Sequence, residues 1–342
     1  MSPTVSVRRL TSIQPLWAVE GGRVSIRGMG FPTGGPHLPE VRIADVPARV
    51  VYGSSSAISV LVPEGLDGGR ATVRIEGASG ETAFLEIGSV LTTGLHQVDN
   101  PVFDRDGNLY VTFSGTRGQE VPVSIFRVSR SGRRESFVSG IVNPTSMAFD
   151  EQRNLYVSSR FEGSVYRVHP DGSHETFATD LGIACGLAFG SDGALYVGDR
   201  SGTVFRVEST GTATAIASLP TSVACFHLAV GPDDAVYVTA PTLGPYDYVY
   251  RIDPSSGAID RVYAGFGRPQ GLAFDSQGTL YVIEALAGWS GLYRVRSDAK
   301  DGQAELVLAG RSLVGVALDP TGGLVVSTNE TAYRLEVPIR PL

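Results

Sequence analysis

Asp99, His227 and Gln270 supply a carboxylate, an imidazole and an amide, polar groups able to fix the orientation of a bound molecule. Arg160, Tyr246, Glu284 and Trp289 add a cation, two aromatic rings and a second carboxylate. Aromatic rings stack on sugars or apolar groups, so the mixed set suits a polar small molecule, a peptide or a protein partner. Stronger catalytic signatures are missing. The sequence holds no nucleophile elbow, phosphate-binding loop, HExxH helix or CxxC pair, and its serines and histidines are too scattered to suggest a triad. Lys300 is the only lysine, which removes Schiff-base chemistry from nearly the whole chain. The expectation is a binding protein without catalytic residues or a resident cofactor.

What could bring these residues together is a repeat. Its clearest copy is Gly186-Leu187-Ala188-Phe189, then Asp192-Gly193, then Leu195-Tyr196-Val197 and Thr203-Val204-Phe205-Arg206-Val207. An Asp-Gly pair between apolar runs signals a two-residue hairpin turn in which both central residues take positive φ. Residues 110, 156, 196, 237, 281 and 325 are equivalent, at intervals of 46, 40, 41, 44 and 44. Such a period, with several short strands per unit, predicts a six-bladed β-propeller over 89–342. The last repeat stops short of its outer strand. Residues 89–92 precede the first repeat and align with outer strands, so they should close the ring and remove an exposed edge.

In a propeller the loops from outer to inner strand, and from second to third strand, open on one face at the mouth of the channel. Inner-strand positions there read Asp99, Thr145, Cys185, Phe226, Gln270 and Val314, followed by Asn100, Ser146, Gly186, His227, Gly271 and Gly315. The candidates above break the repeat, whereas a residue copied into every blade serves every blade. One arginine per third strand (127, 167, 206, 251, 294 and 334) is therefore expected to be structural, pairing with nearby carboxylates.

Residues 1–88 follow another pattern. Val24/Ile26, Val41/Ile43, Ile58/Val60/Val62 and Val73/Ile75 alternate with polar residues, as strands of a small immunoglobulin-like sandwich do. The fold class is thus all-β, a sandwich followed by a propeller. A net charge of −7 and no basic run longer than Arg8-Arg9 or Arg133-Arg134 argue against nucleic acid or an anionic membrane as partner. With no apolar leader after Arg8-Arg9, a cytoplasmic location is expected, or a secreted one if a leader has been removed. Cys185 and Cys225 suit a reducing compartment and are expected to be buried, unreactive thiols.

The opening Ile13-Gln14-Pro15, the stretch Gly21-Gly22-Arg23-Val24-Ser25-Ile26-Arg27-Gly28-Met29-Gly30-Phe31 and Ile58-Ser59-Val60-Leu61-Val62-Pro63 resemble an IPT/TIG domain. That resemblance implies a spacer or contact surface. Gly271-Leu272-Ala273-Phe274-Asp275 and Asp106-Gly107-Asn108-Leu109-Tyr110-Val111 resemble NHL repeats and the related gluconolactonase/regucalcin propellers of bacterial type. The latter resemblance implies a divalent cation held by a Glu, two Asn and an Asp, and hydrolysis of sugar lactones. Those four positions fall here on Asp99, Thr145, Cys185 and Gln270, so one carboxylate survives. Leu280-Tyr281-Val282-Ile283-Glu284 resembles the second strand of streptogramin-lyase propellers. It implies cleavage of a cyclic ester by Glu284 with a histidine such as His227, although Ala285 and Leu286 stand where that family has its own histidine.

Overall fold

Every regular element is a β-strand; there is no helix among the described residues, which in this computed structural model are 9–33, 37–77, 83–286, 288, 290–296 and 303–337. Trp289, expected on the rim, lies outside them.

Five free-standing four-stranded antiparallel sheets carry most of the repeats. In the third, Ala184–Phe189 is innermost, followed outward by Leu195–Asp199, Thr203–Val207 and Ala213–Ser218. The last sheet runs Leu313–Leu318, Leu324–Thr328, Thr331–Leu335 and then back in sequence to Ser89–Thr93, whose Thr92 lies opposite Ala332. The remaining repeat, Pro269–Phe274, Leu280–Glu284, Gly291–Arg296 and Gln303–Ala309, keeps the same strand order but continues into a 12-stranded sheet. The inner strands pack each on the next around a ring: 144–149 on 184–189, then 227–230, 269–274 and 313–318, with 102–103 touching both 144–149 and 313–318. Side chains between successive sheets form separate apolar clusters, for example Leu187, Val197 and Val207 with Tyr156 and Leu181.

The hairpin turn differs from the sequence expectation. Gly193 has φ of 80°, but Asp192 is not in the positive region. Gly193 N donates to Gly190 O and Gly190 N to Ala194 O, so the loop has three residues, a type I turn closed by a left-handed one. Only the last position demands freedom at φ, which is why Arg153 (70°) and Asp234 (58°) can stand where other repeats have glycine.

All six repeated arginines find carboxylates. Arg206, Arg251 and Arg334 reach Asp192, Asp233 and Asp319 in the turn after the inner strand. Arg127, Arg167 and Arg294 reach Glu135, Glu175 and Glu305 on the outer strand.

The sandwich buries Val24, Ile26, Ile58, Val60, Val73, Ile75, Leu85 and Ile87 in one core. Its Val46–Gly53 strand pairs with Val41–Ile43 at one end and Ala57–Leu61 at the other, linking the two layers. The sandwich also joins the propeller by backbone. Trp17–Ala18 pairs in parallel with Ala83–Ile87 on one side and with Gln303–Ala309 on the other. Ala309 packs in the sandwich core while Val19 packs among Tyr281, Leu308, Leu313 and Leu335. A Cβ on Gly22 would collide with Ala309 O, so the chain can pass there only as glycine.

Candidate functional site

The axis is crossed by Asp99, Asn100 and His227. Asn100 is built in from two neighbouring inner strands: its Nδ2 donates to Leu272 O (2.9 Å) and its Oδ1 accepts from Val316 N (2.9 Å). It can enter only because Gly271 carries no side chain, since a Cβ there would overlap Asn100 Oδ1, while Gly315 leaves room for Asp99 O and Pro101 on either side of it. The glycines that break the repeat at this level are therefore clearance for the residues that fill it.

Asp99 and His227 meet across the ring. His227 opens the fourth inner strand and is fully buried; Asp99 is 2% exposed. Nδ1 of the ring lies 2.5 Å from Asp99 Oδ1 and Nε2 lies 3.2 Å from Gln270 Oε1. Asp99 Oδ1 faces Nδ1 and the Gln270 side-chain amide faces Nε2, and that amide can serve the ring through its oxygen or its nitrogen. Burial by itself lowers the imidazole pKa, but the charge and hydrogen bond of Asp99, with Cys225 and Gln270, hold it above 6.5. Asp99 Oδ1 also accepts from Asn100 N (2.7 Å), and Gln97 Nε2 donates to Asp99 O (2.7 Å).

Of the seven sequence candidates, these three converge. Arg160 is half-buried on the same end of the axis and makes no hydrogen bond among the described residues; its charge helps burial lower the pKa of His96. Tyr246 is 66% exposed on the loop before Asp247–Ile252. Glu284 turns to its own loop, accepting from Gly267 N (2.6 Å), Arg268 N (3.0 Å) and Leu286 N (2.6 Å). Asp199 does the same for Ile183 and Ser201. An acid after the second strand is thus a loop clamp, and no hydrogen bond links Glu284 to His227.

The positions that the lactonase resemblance assigns to a cation do not fit one. Asp99 and Gln270 already bracket the His227 ring, Thr145 donates to Asn143 O, and Cys185 offers a buried thiol. Hard divalent cations want several converging oxygens. Among the described residues no group of three or more His, Cys, Asp or Glu is placed to hold a metal.

Sequence reading missed a second feature of the axis. A cavity of about 360 Å³ opens at its other end, beside the turns that follow the inner strands. Its walls include Phe103, Phe149 and Leu318, and its floor Asp99 and Ser146. The wall residues are apolar in repeat after repeat, so nothing in the sequence separates them from core.

Residues 9–86 match the IPT/TIG domain family. The chain is therefore an IPT/TIG immunoglobulin-like domain joined to a β-propeller. Solved structures agree in fold. One is a candidate gluconolactonase, 18% identical, with a TM-score of 0.59 over 74% of this chain and 92% of that one. Another is virginiamycin B lyase from Staphylococcus aureus, an inactive variant with quinupristin, 13% identical, with a TM-score of 0.54 over 98% and 97%. A third is an auxiliary nutrient binding protein from Bacteroides ovatus, also 13% identical and with a TM-score of 0.54, over 96% and 97%. At such identities the likeness is one of fold. None of the curated proteins compared by sequence matches.

Proposed function

We propose that this protein is a non-catalytic, ligand-binding propeller of NHL type with six blades, the repeat 269–309 being the blade fused to the IPT/TIG domain. Residues 1–88 and 89–342 are its two units. The first serves as a contact surface held in fixed orientation, since its sheet runs on into the blade. The ligand is a polar small molecule or peptide at the mouth where Arg160 and Tyr246 stand.

The observation that carries this reading is the His227 ring lodged between Asp99 and Gln270. A side chain of the protein's own, its pKa lowered by burial but raised on balance, chiefly by Asp99, thus fills the space between two of the positions that would hold the lactonase cation. An auxiliary nutrient binding protein among the neighbours of like fold is consistent with binding as the activity.

The test is to titrate Ca²⁺, Mg²⁺, Mn²⁺ and Zn²⁺ calorimetrically and to assay aldonolactone hydrolysis with and without each. Neither heat of binding nor turnover is expected. Metal-dependent hydrolysis lost in Asp99→Ala would establish the lactonase reading instead.

A further inference from the structure

The cavity at the far end of the axis has the composition of a small-molecule site, and its floor carries unused hydrogen-bonding capacity. Asp99 is almost wholly buried, and its Oδ1 is taken by His227 and the Asn100 amide. Its Oδ2 accepts no hydrogen bond among the described residues, although Asp99 lines the cavity. Oδ2 is open to the cavity rather than sealed off, so a bound donor there would take the place of water. Beside it, Ser146 Oγ accepts from Leu187 N (3.0 Å) and keeps its own proton free to donate. Asp104 at the rim is used up by its turn, its oxygens accepting from Asn108 N, Asn108 Nδ2 and Tyr110 Oη.

We propose that this cavity binds a small neutral alcohol, aliphatic or aromatic, whose hydroxyl donates to Asp99 Oδ2 and accepts from Ser146 Oγ while its apolar body lies against Phe103, Phe149 and Leu318. Charge selects the class. The His227 ring is already paired to that carboxylate, so an ammonium would bring a further charge between apolar walls, whereas a hydroxyl supplies a donor at little desolvation cost. The volume, about 360 Å³, falls in the range of small-molecule pockets, roughly 300–1,000 Å³. The site is on the opposite end from the mouth, but it rests on the same Asp99–His227 pair as the function proposed above; Leu318→Trp tests the cavity without touching that pair.

The experiment compares 2-naphthol with 2-methoxynaphthalene, which has the same aromatic body and no donor, by fluorescence titration of the full chain. A hydrogen bond to a carboxylate is worth about tenfold or more in affinity, so naphthol should bind at least about tenfold tighter than the ether. Asp99→Asn should narrow that gap, whereas Ser146→Ala, which leaves the Asp99–His227 contact in place, should weaken both compounds, because the ether oxygen can also accept from Ser146 Oγ. Leu318→Trp, which fills the cavity from its wall, should abolish binding of both. Equal affinity for the two compounds, no binding of naphthol, or unchanged binding in Leu318→Trp overturns the proposal.

Discussion

His227 opens the fourth inner strand and Asp99 lies in the segment leading to the first, 128 residues apart, yet their Nδ1 and Oδ1 atoms are 2.5 Å apart. The pair is a strut across the axis. It ties the fourth sheet to the segment entering the first, and with Gln270 it also engages the fused repeat.

The strut makes stability depend on pH in a defined direction. Because the folded state holds the His227 pKa above 6.5, its contribution is fully present below pH 6.5. It is lost as the pH rises through the higher folded-state value. Urea midpoints measured upward from pH 6 should therefore fall more steeply for the native chain than for His227→Gln. Parallel slopes would show that the ring is not charged in the folded protein.

Breaking the strut from one side should be severe. Removing one partner of a buried ion pair costs about 3–5 kcal/mol, because the other is left buried and uncompensated. His227→Leu and Asp99→Leu should each lose stability on that scale. The double variant should be more stable than the sum of the two losses, by a margin that a double-mutant cycle reads as coupling. Strict additivity would mean that the two side chains do not interact.

Of the two neighbouring cysteines, Cys185 should be inert; the hydrogen bond to Cys185 lowers the pKa of Cys225 instead. Cys185 is fully buried, and burial together with the adjacent Cys225 pushes its thiol pKa well above the ordinary value. In the native protein at pH 7 a bulky disulfide reagent should label Cys185 only as fast as the protein unfolds. Prompt labelling of Cys185 would contradict the packing of the third and fourth sheets.

The seam between the domains yields the next prediction. Deleting residues 1–88 removes Trp17–Ala18 and bares the edge of Gln303–Ala309, while deleting 1–94 also strips Ser89–Thr93 from the last sheet. Exposed strand edges template self-association. Light scattering should show association for both truncations, more for the longer one. Gly22→Val, which drives a side chain into Ala309 O, should weaken the seam without removing either edge. A monomeric and equally stable 89–342 fragment would show that the shared sheet contributes nothing.

Much of the scaffold was legible in the sequence. Alternation at period two marked the sandwich strands, and the Leu-Tyr-Val phrase marked the second strand of the propeller repeats. Both are local patterns written by burial of one face of a strand. The arginine in each third strand could be assigned to structure before any coordinates, because six copies cannot serve one site. Asp99, His227 and Gln270 could be singled out for the complementary reason, that they depart from their equivalents.

What the tertiary structure decided is how those departures meet. Asp99 and His227 are 128 residues apart, and periodicity says which positions are equivalent but not which side chains span the axis. The same limit hid the use of Glu284 as a clamp on its own loop, since an unpaired and a satisfied carboxylate read alike. It hid the far cavity, whose walls are apolar positions repeated in every blade. It also hid the union of the two domains, which rests on Trp17–Ala18 hydrogen-bonding to Leu308 and Ala309. Backbone pairing between distant segments is blind to side-chain identity, and only the folded chain brings such edges together.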